Sequence, residues 1–175
     1  MAVSTLVETA GSATANTYVT LAVANQYHLD RPAAGTTWSL ATDDQKATAL
    51  LWATMLMDRL WAWNGYPTDA IQALLWPRGA MLKPNGWEYV DIHTIPIELQ
   101  RATAEYARSL LAADRTADSD IETLGLTSLR AGPVSLTFKN DVYSKPVPDI
   151  VVGLIPPGWG YPRNRISGVR DLVRA

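Results

Sequence analysis

The 175-residue sequence contains no cysteine, and this absence removes several kinds of chemistry together. Without thiols, the chain can form no disulfide bond, thiolate nucleophile or sulfur-ligated zinc site. No apolar run approaches the roughly 20 residues that a membrane-spanning helix needs. The first residues also lack the basic-then-apolar order of a secretory signal. These absences fit an intracellular protein, and we expect no membrane among its partners.

Positive charge is slightly in deficit, with 15 lysines and arginines against 17 acidic residues and a formal net charge of -2. Proteins that grip nucleic acid with their whole surface are usually basic, so this balance argues against such a protein. The charge is uneven, because the segment from Pro156 onward is basic. It has one acidic residue, Asp171, against Arg163, Arg165, Arg170 and Arg174. An acidic body with a basic end indicates two parts with different tasks.

Patterns for catalysis or metal binding are missing. Neither of the two histidines, His28 and His93, has a partner at metal-ligand spacing, and we interpret both as structural or solvated. His28 falls near the end of a predicted helix, where a cation favours the helix dipole. Asp118 and Asp120 lack the glycine and the distal glutamate of a calcium loop. Since nucleophile-elbow, dinucleotide and phosphate-loop motifs are also absent, the sequence predicts no enzyme, no cofactor and no metal.

Helical spacing of apolar residues predicts three main helices. They are expected at Leu21–Leu29, at residues 42–61 and at residues 96–114. The second begins with a capping box at Thr42, and the next two residues, Asp43 and Asp44, complement the positive end of the helix dipole. Those two carboxylates are therefore explained without a catalytic role.

The helix predicted at residues 42–61 has an apolar stripe that covers much of its circumference. Such a helix touches neighbours on several sides, so we expect it at the centre of a bundle, with Trp52 and Trp61 in the core. Shorter helices are expected at residues 69–75 and at Asp149–Leu154.

The predicted fold is mainly α: a small helical bundle with an appended β-hairpin and an extended C-terminal tail. Residues 128–138 alternate on both sides of Ala131-Gly132, which predicts the hairpin within about residues 123–139. Prolines and glycines in residues 156–162 predict a tail that is extended or ordered only by a partner. Three parts follow: a flexible lead-in at 1–16, a helical domain at 17–145 and a docking tail at 146–175.

Large aromatic side chains in predicted loops need a place away from water. Trp63, Trp87, Trp159 and Tyr161 either fold back to seal the domain or become buried against another subunit. For the tail we favour the interface, because its prolines and glycines deny it a fold of its own and because Trp, Tyr and Arg are enriched at interface hot spots. The candidate residues for contact with a partner or a neighbouring subunit are Trp159, Tyr161, Arg163, Arg165, Arg170 and Arg174.

The stretch Trp76-Pro77-Arg78 is interpreted as structural. Pro77 is expected to end the short helix at residues 69–75 and to fix the chain direction. Trp76 and Arg78 are then expected to seal the bundle. Their expected partners are the central helix near Trp52 or Met55 for Trp76, and freed carbonyls or Asp58 for Arg78.

Several motifs stand in a characteristic order between residues 16 and 138. They are Ala15-Asn-Thr-Tyr-Val-Thr-Leu-Ala22, Tyr27-His28, Thr37-Trp38, Thr42-Asp-Asp-Gln-Lys-Ala-Thr-Ala-Leu50, Met57-Asp58-Arg59-Leu60, Gln72-Ala-Leu-Leu-Trp-Pro-Arg78 and Ile95-Pro96-Ile97-Glu-Leu-Gln-Arg-Ala102-Thr-Ala-Glu105. In this order they resemble the head-tail connector (adaptor) proteins of tailed bacteriophages, a group also labelled DnaT-like single-stranded-DNA binding.

That resemblance implies a virion protein of the neck, at the head-tail junction, assembled in the host cytoplasm. It would form a homo-oligomeric ring, a dodecamer, beneath the portal vertex, where it extends the DNA channel and joins head to tail. Its partners would be the portal, a downstream tail or neck protein, and DNA that passes through the lumen without sequence-specific binding. An acidic body suits such a lumen because it does not grip phosphates. The alternative is a single-stranded-DNA-binding module that uses the aromatic and basic side chains of the tail.

Overall fold

The computed structural model describes residues 3–31, 36–113, 128–131, 134–137 and 146–163. Its helices are α1 (Leu21–Leu29), α2 (Thr36–Leu40), α3 (Asp43–Leu60), α4 (Ile97–Ala112) and α5 (Asp149–Leu154), with a 3-10 turn at Pro157–Trp159. Its strands are β1 (Trp61–Trp63), β2 (Tyr66–Pro67), β3 (Arg78–Gly79), β4 (Ser128–Ala131), β5 (Val134–Thr137) and β6 (Gly160–Pro162). They pair as β1–β6, β2–β3 and β4–β5. The predicted fold class, mainly α with a small hairpin, is confirmed.

The main helices begin where the sequence predicts. The Thr42 hydroxyl accepts from the backbone N–H of Gln45 at 3.3 Å, and the Gln45 side chain accepts from the Thr42 N–H at 2.8 Å. These two bonds complete the capping box of α3. Thr20 caps α1 in the same way by accepting from the N–H of Val23. Pro96 precedes α4, where a missing N–H costs nothing.

The central helix is α4 and not α3, which corrects the sequence-based expectation. α4 packs against α1, α2, α3 and α5. Its small residues, Ala102, Ala104 and Ala107, are fully buried and let neighbouring helices approach closely. α3 turns one side to solvent, so that Trp52, which was predicted to lie in the core, is 43% exposed. Trp61 is buried as expected.

The hairpin prediction is confirmed for the backbone. β4 and β5 are antiparallel, and Ala131 lies opposite Val134 at the turn end while Ser128 lies opposite Thr137 at the other. Of the predicted range, about residues 123–139, the structure describes residues 128–131 and 134–137, and the others lie outside the described residues.

The segment at residues 146–163 is part of the body, which contradicts the expectation of a separate docking tail there. Helix α5 forms as predicted and packs on α4. The Tyr106 hydroxyl donates to the carbonyl of Pro146 at 2.8 Å. Val147, Val151 and Ile155 are buried in the common core. Burial of these apolar side chains lowers the free energy of the folded state. This gain outweighs the cost of ordering the irregular backbone that proline and glycine impose.

The short helix expected at residues 69–75 does not form. Side-chain bonds take the place of helical ones: the Gln72 amide oxygen accepts from the N–H groups of Thr68 and Asp69, both at 3.0 Å. The Gln72 amide nitrogen donates to the Leu74 carbonyl at 2.6 Å. Such local bonds compete with the helical ladder. Pro77 therefore has no helix to end.

Residues 3–16 contain no helix or strand, yet they lie against the body and are not a loose lead-in. The Asn16 side chain accepts from the Val7 N–H at 2.8 Å and donates to the Thr5 carbonyl at 2.9 Å. The Ser12 carbonyl accepts from the N–H of Ala73 at 3.0 Å. These bonds fix the path of the segment.

Candidate nucleic-acid interface

The two-stranded sheet β1–β6 joins the end of α3 to the C-terminal part of the chain. Its register places Trp61 opposite Pro162, Ala62 opposite Tyr161 and Trp63 opposite Gly160. Side chains alternate across a strand, so one face of the sheet carries the two tryptophans of β1 and the other carries Ala62 and Tyr161. The first face is turned toward the core, and the second is turned toward solvent.

The inner face contributes to a tryptophan cluster formed by Trp61, Trp63, Trp76 and Trp159. The rings of Trp61 and Trp63 stack at 5.2 Å, Trp63 meets Trp76 edge-on at 5.4 Å, and Trp76 lies 5.0 Å from Trp159. The Trp159 indole N–H donates to the Leu82 carbonyl at 2.6 Å. Trp61, Trp76 and Trp159 are each 1% exposed, so Trp159 seals its own domain and is not available to a partner. Trp76 also packs within this cluster, against Trp63 and Trp159. The expectation that it packs near Trp52 or Met55 is wrong.

Arg78 is buried beside the cluster and binds three backbone carbonyls. Its Nε donates to Asn64 at 2.7 Å, one terminal nitrogen to Leu75 at 3.0 Å and the other to Gly65 at 2.9 Å. The prediction that Arg78 bonds freed carbonyls is confirmed. Burial lowers the pKa of Arg78, and the charge stays compensated because every nitrogen has an acceptor.

Asp58, the other expected partner of Arg78, is held by different groups. Its carboxylate accepts from the Tyr18 hydroxyl and from the backbone N–H of Leu75, the latter at 3.2 Å. Burial raises the pKa of Asp58 to about 6, although both hydrogen bonds and the nearby Arg78 act in the opposite direction. Asp58 thus ties three segments together beneath the sheet.

The outer face presents an aromatic ring with arginines beside it. Tyr161 is 63% exposed, and Arg163, two residues further along, is also exposed. The Arg163 backbone N–H donates to the Leu60 carbonyl at 2.7 Å, which places Arg163 at the end of α3. The residue before Leu60 in the sequence is the exposed Arg59. We call Tyr161, Arg163 and Arg59 the β6 face. An exposed ring for base stacking and guanidinium groups for phosphates are the two elements of a single-strand-binding surface.

Gly160 permits this arrangement. Its φ is 149°, in the region that favours glycine. A Cβ atom built there would lie 2.3 Å from the Ala62 carbonyl oxygen and 2.9 Å from the Trp61 indole nitrogen. The close approach brings β6 against β1 and directs Tyr161 outward.

A second aromatic surface lies on the loop that follows β3. We call residues 82–91 the acidic aromatic loop. Trp87 and Tyr89 are 73% and 68% exposed there. Lys83 forms an ion pair with Glu88 at 2.7 Å, and two further carboxylates, Asp91 and Glu98, raise the pKa of Lys83. Because acidic groups outnumber the single lysine, this loop repels phosphate and is the poorer candidate for DNA.

The two histidines lie in different environments. His28 is buried, with Nε2 3.1 Å from the Ala104 carbonyl oxygen, and burial lowers its pKa. His28 is therefore a core residue, which confirms the structural role predicted for it, and burial disfavours the cation that would suit a helix end. His93 is exposed in the loop before α4. Glu105, fully buried nearby, is neutralised by Arg31 and by Arg108 at 2.5 Å.

An open groove of about 430 Å³ lies between α3 and α4. It is lined by Val3, Asp44, Gln45, Thr48, Ala49, Trp52, Leu110 and Leu111. The described residues contain no cluster of three or more His, Asp or Glu side chains that could hold a metal ion. Among them, no helix combines the length and the apolar character needed to cross a membrane.

The structure places the predicted contact residues in three different settings. Tyr161 and Arg163 are exposed side by side, Trp159 is buried, and Arg165, Arg170 and Arg174 lie outside the described residues. Sequence reasoning missed Arg59, because only the pairing of β1 with β6 brings it near Arg163. No local pattern signals a contact between strands so far apart in the chain.

A family model described as "Putative DnaT-like ssDNA binding protein" matches residues 4–170, almost the whole chain. No curated protein and no solved structure matches this chain. The DnaT-like part of the resemblance seen in the sequence is thereby confirmed. The chain belongs to this DnaT-like family.

Proposed function

We propose that this protein binds single-stranded DNA through the β6 face, without catalysis. Family membership carries the proposal, and the exposed Tyr161 beside Arg163 supplies the surface. The Tyr161 ring would stack on a base while Arg163 and Arg59 contact the flanking phosphates. The sequence continues with Arg165, Arg170 and Arg174, which would extend the contact to further phosphates. Contacts of this kind are tolerant of sequence, because every base has a ring face.

The acidic body is compatible with this role because binding would be confined to one face. Asp43, Asp44, Glu88 and Asp91 lie on α3 and on the loop before α4, outside the β6 face. Repulsion from these carboxylates would keep the strand on the basic face and limit the length of DNA that one copy covers.

Fluorescence anisotropy of a labelled oligothymidylate at low salt tests the assignment of the surface. Tyr161→Ala should weaken binding about 5- to 150-fold, because base–aromatic stacking contributes about 1–3 kcal/mol per base. Arg163→Ala should weaken it as well and reduce its dependence on salt. The matched controls are Tyr89→Ala, an equally exposed aromatic, and Arg101→Ala, an exposed arginine on α4. Equal losses in the controls and in the β6 variants would refute the assignment.

A second candidate function is the head-tail connector of a tailed bacteriophage. It is supported by the ordered motifs of residues 16–138 and by exposed apolar side chains outside the β6 face, among them Trp52 and Trp87. In this role the protein would form a ring, a dodecamer, under the portal vertex of the virion neck. The ring would contact the portal and a tail or neck protein and let DNA pass.

Electron microscopy of the protein mixed with the portal of the same phage tests this role. A ring at the narrow end of the portal is the expected image. The absence of any such ring, at protein concentrations that saturate DNA binding, would leave single-strand binding as the sole candidate.

A further inference from the structure

The acidic aromatic loop, residues 82–91, presents large apolar side chains on a fixed backbone. Leu82 and Tyr89 form an antiparallel bridge, and the Lys83 N–H donates to the Glu88 carbonyl at 2.7 Å. The Asn85 side chain accepts from the N–H groups of Trp87 and Glu88 at 3.2 and 3.1 Å. A loop held by its own hydrogen bonds loses little conformational entropy when a partner binds.

Both ends of the loop are anchored in the core. Met81 and Val90 are buried, and the Val90 N–H donates to the Met81 carbonyl at 2.8 Å. The tryptophan cluster adds the bond from the Trp159 indole to the Leu82 carbonyl. Trp87 and Tyr89 are nevertheless 73% and 68% exposed. Rigid, exposed aromatic side chains are the residue types that dominate interface binding energy.

The charges around the loop select the kind of partner. Glu88 forms an ion pair with the ammonium group of Lys83, and the charges of Asp91 and Glu98 also act on it. A nucleic acid would be repelled, and an acidic protein segment would be too. A segment that alternates apolar and basic side chains would satisfy both the aromatic surface and the carboxylates.

The C-terminal segment of this chain has that chemistry. Residues 164–175 carry three arginines against Asp171, and apolar side chains stand between them. The arginines are Arg165, Arg170 and Arg174, and the apolar residues are Ile166, Val169, Leu172 and Val173. Within one copy, β6 starts beside Leu82 and runs away from it, because Arg163 is bonded to Leu60 at the other end of the sheet. Arg163, the last described residue before this segment, therefore lies at the end of β6 opposite to the one bonded to Leu82.

We propose that the acidic aromatic loop of one copy binds the basic C-terminal segment of a second copy. The contact joins two different surfaces, so it is heterologous, and a pair of copies retains one free loop on one copy and one free segment on the other. Further copies can add until a ring closes. This inference goes beyond single-strand binding and does not depend on it.

Sedimentation velocity of the full-length chain over a concentration series, in low salt and without DNA, tests the contact. The loop variant Trp87→Ala/Tyr89→Ala and the tail variant Arg170→Glu/Arg174→Glu should each raise the dissociation constant at least tenfold. Leu29→Ala, an apolar side chain on α1 that is 77% exposed, should leave self-association unchanged. Circular dichroism should show the same folded content in all four proteins.

Mixing the two variants decides whether the contact runs between copies. The loop variant keeps an intact segment and the tail variant keeps an intact loop, so an equimolar mixture should form dimers that neither forms alone. A mixture that stays monomeric overturns the proposal. So does a wild-type chain whose sedimentation coefficient is that of a monomer at every concentration, the result expected if the segment binds its own copy.

Discussion

Single residues in this protein are explained by the backbone groups they satisfy. The sequence predicted that Arg78 binds freed carbonyls or Asp58, and the structure shows the carbonyls. The sequence did not predict which carbonyls, since two of them, at Asn64 and Gly65, belong to a turn that β2 and β3 bring close. Trp52 and Trp159 show the converse error. Helical spacing suggested a buried Trp52, and local proline content suggested an available Trp159, but packing between distant segments decided both.

Replacement of Arg78 by alanine should lower the free energy of unfolding by about 2–4 kcal/mol, because a buried side chain is removed and three backbone carbonyls lose their donor. Arg78→Lys should recover only part of this loss, since an ammonium group cannot reach three carbonyls as a planar guanidinium does. Thermal denaturation measures both changes. Arg101→Ala, at an exposed position, should change stability by less than about 0.5 kcal/mol. An Arg78→Ala melting temperature equal to that of the wild type would contradict the account.

Asp58 should make stability depend on pH. Burial raises its pKa from 3.8 to about 6, so the folded state binds the proton more tightly than the unfolded state does. The contribution is therefore most favourable below about pH 4 and is lost as the pH rises through 6, by at most about 3 kcal/mol. Urea denaturation of the wild type and of Asp58→Asn at several pH values measures the difference. If the difference between the two proteins is the same at pH 4 and pH 7, the proton is not linked to folding through Asp58.

At the scale of secondary-structure elements, local signals were sufficient for the helices and insufficient for the sheets that build the site. The capping box of α3 and the proline before α4 fix helix starts within a few residues, so sequence predicts them. β1 and β6 are three residues each and pair across most of the chain, so no periodicity announces them. At residues 69–75 the sequence pattern predicts a helix, but the side-chain hydrogen bonds of Gln72 form in place of helical ones.

Substitution Gly160→Ala should detach β6 from β1, because the added Cβ meets the Ala62 carbonyl and the backbone is in a glycine region. We expect a loss of about 2–4 kcal/mol in stability and a changed near-ultraviolet circular dichroism of the tryptophan cluster. Gly153→Ala is the control, since its Cβ would meet nothing within 4 Å on α5. It should stabilise the protein by about 0.5–1 kcal/mol. An unchanged tryptophan signal in Gly160→Ala would show that the β1–β6 pairing tolerates a side chain there.

Over the whole molecule, the separation of charge was visible in the sequence, whereas the position of each charge was not. The excess of arginine after Pro156 predicted a basic end, and the structure adds that this end starts at the exposed Arg163 beside Tyr161. The acidic surface around Trp87 was not predicted from the sequence, because it depends on how the loop is folded. Both proposals draw on the same arginines, Arg165, Arg170 and Arg174.

Single-stranded DNA should therefore compete with self-association. Adding an excess of oligothymidylate in low salt should shift the wild-type chain toward DNA-bound monomers, which sedimentation velocity with absorbance at two wavelengths resolves. The loop variant Trp87→Ala/Tyr89→Ala should bind DNA at least as tightly as the wild type, because its C-terminal arginines are free. Oligomers that keep their size when saturated with DNA would show that the two contacts use different groups.

The central claim, that the β6 face binds single-stranded DNA, is tested most directly by the salt dependence of binding. The logarithm of the association constant for oligothymidylate should fall linearly with the logarithm of the salt concentration, with a slope near −0.7 for each phosphate contacted. Arg163→Ala should reduce the steepness by about one phosphate, and Tyr161→Ala should lower affinity at every salt concentration without changing the slope. No binding at micromolar protein in low salt, or a slope that Arg163→Ala leaves unchanged, would contradict the claim.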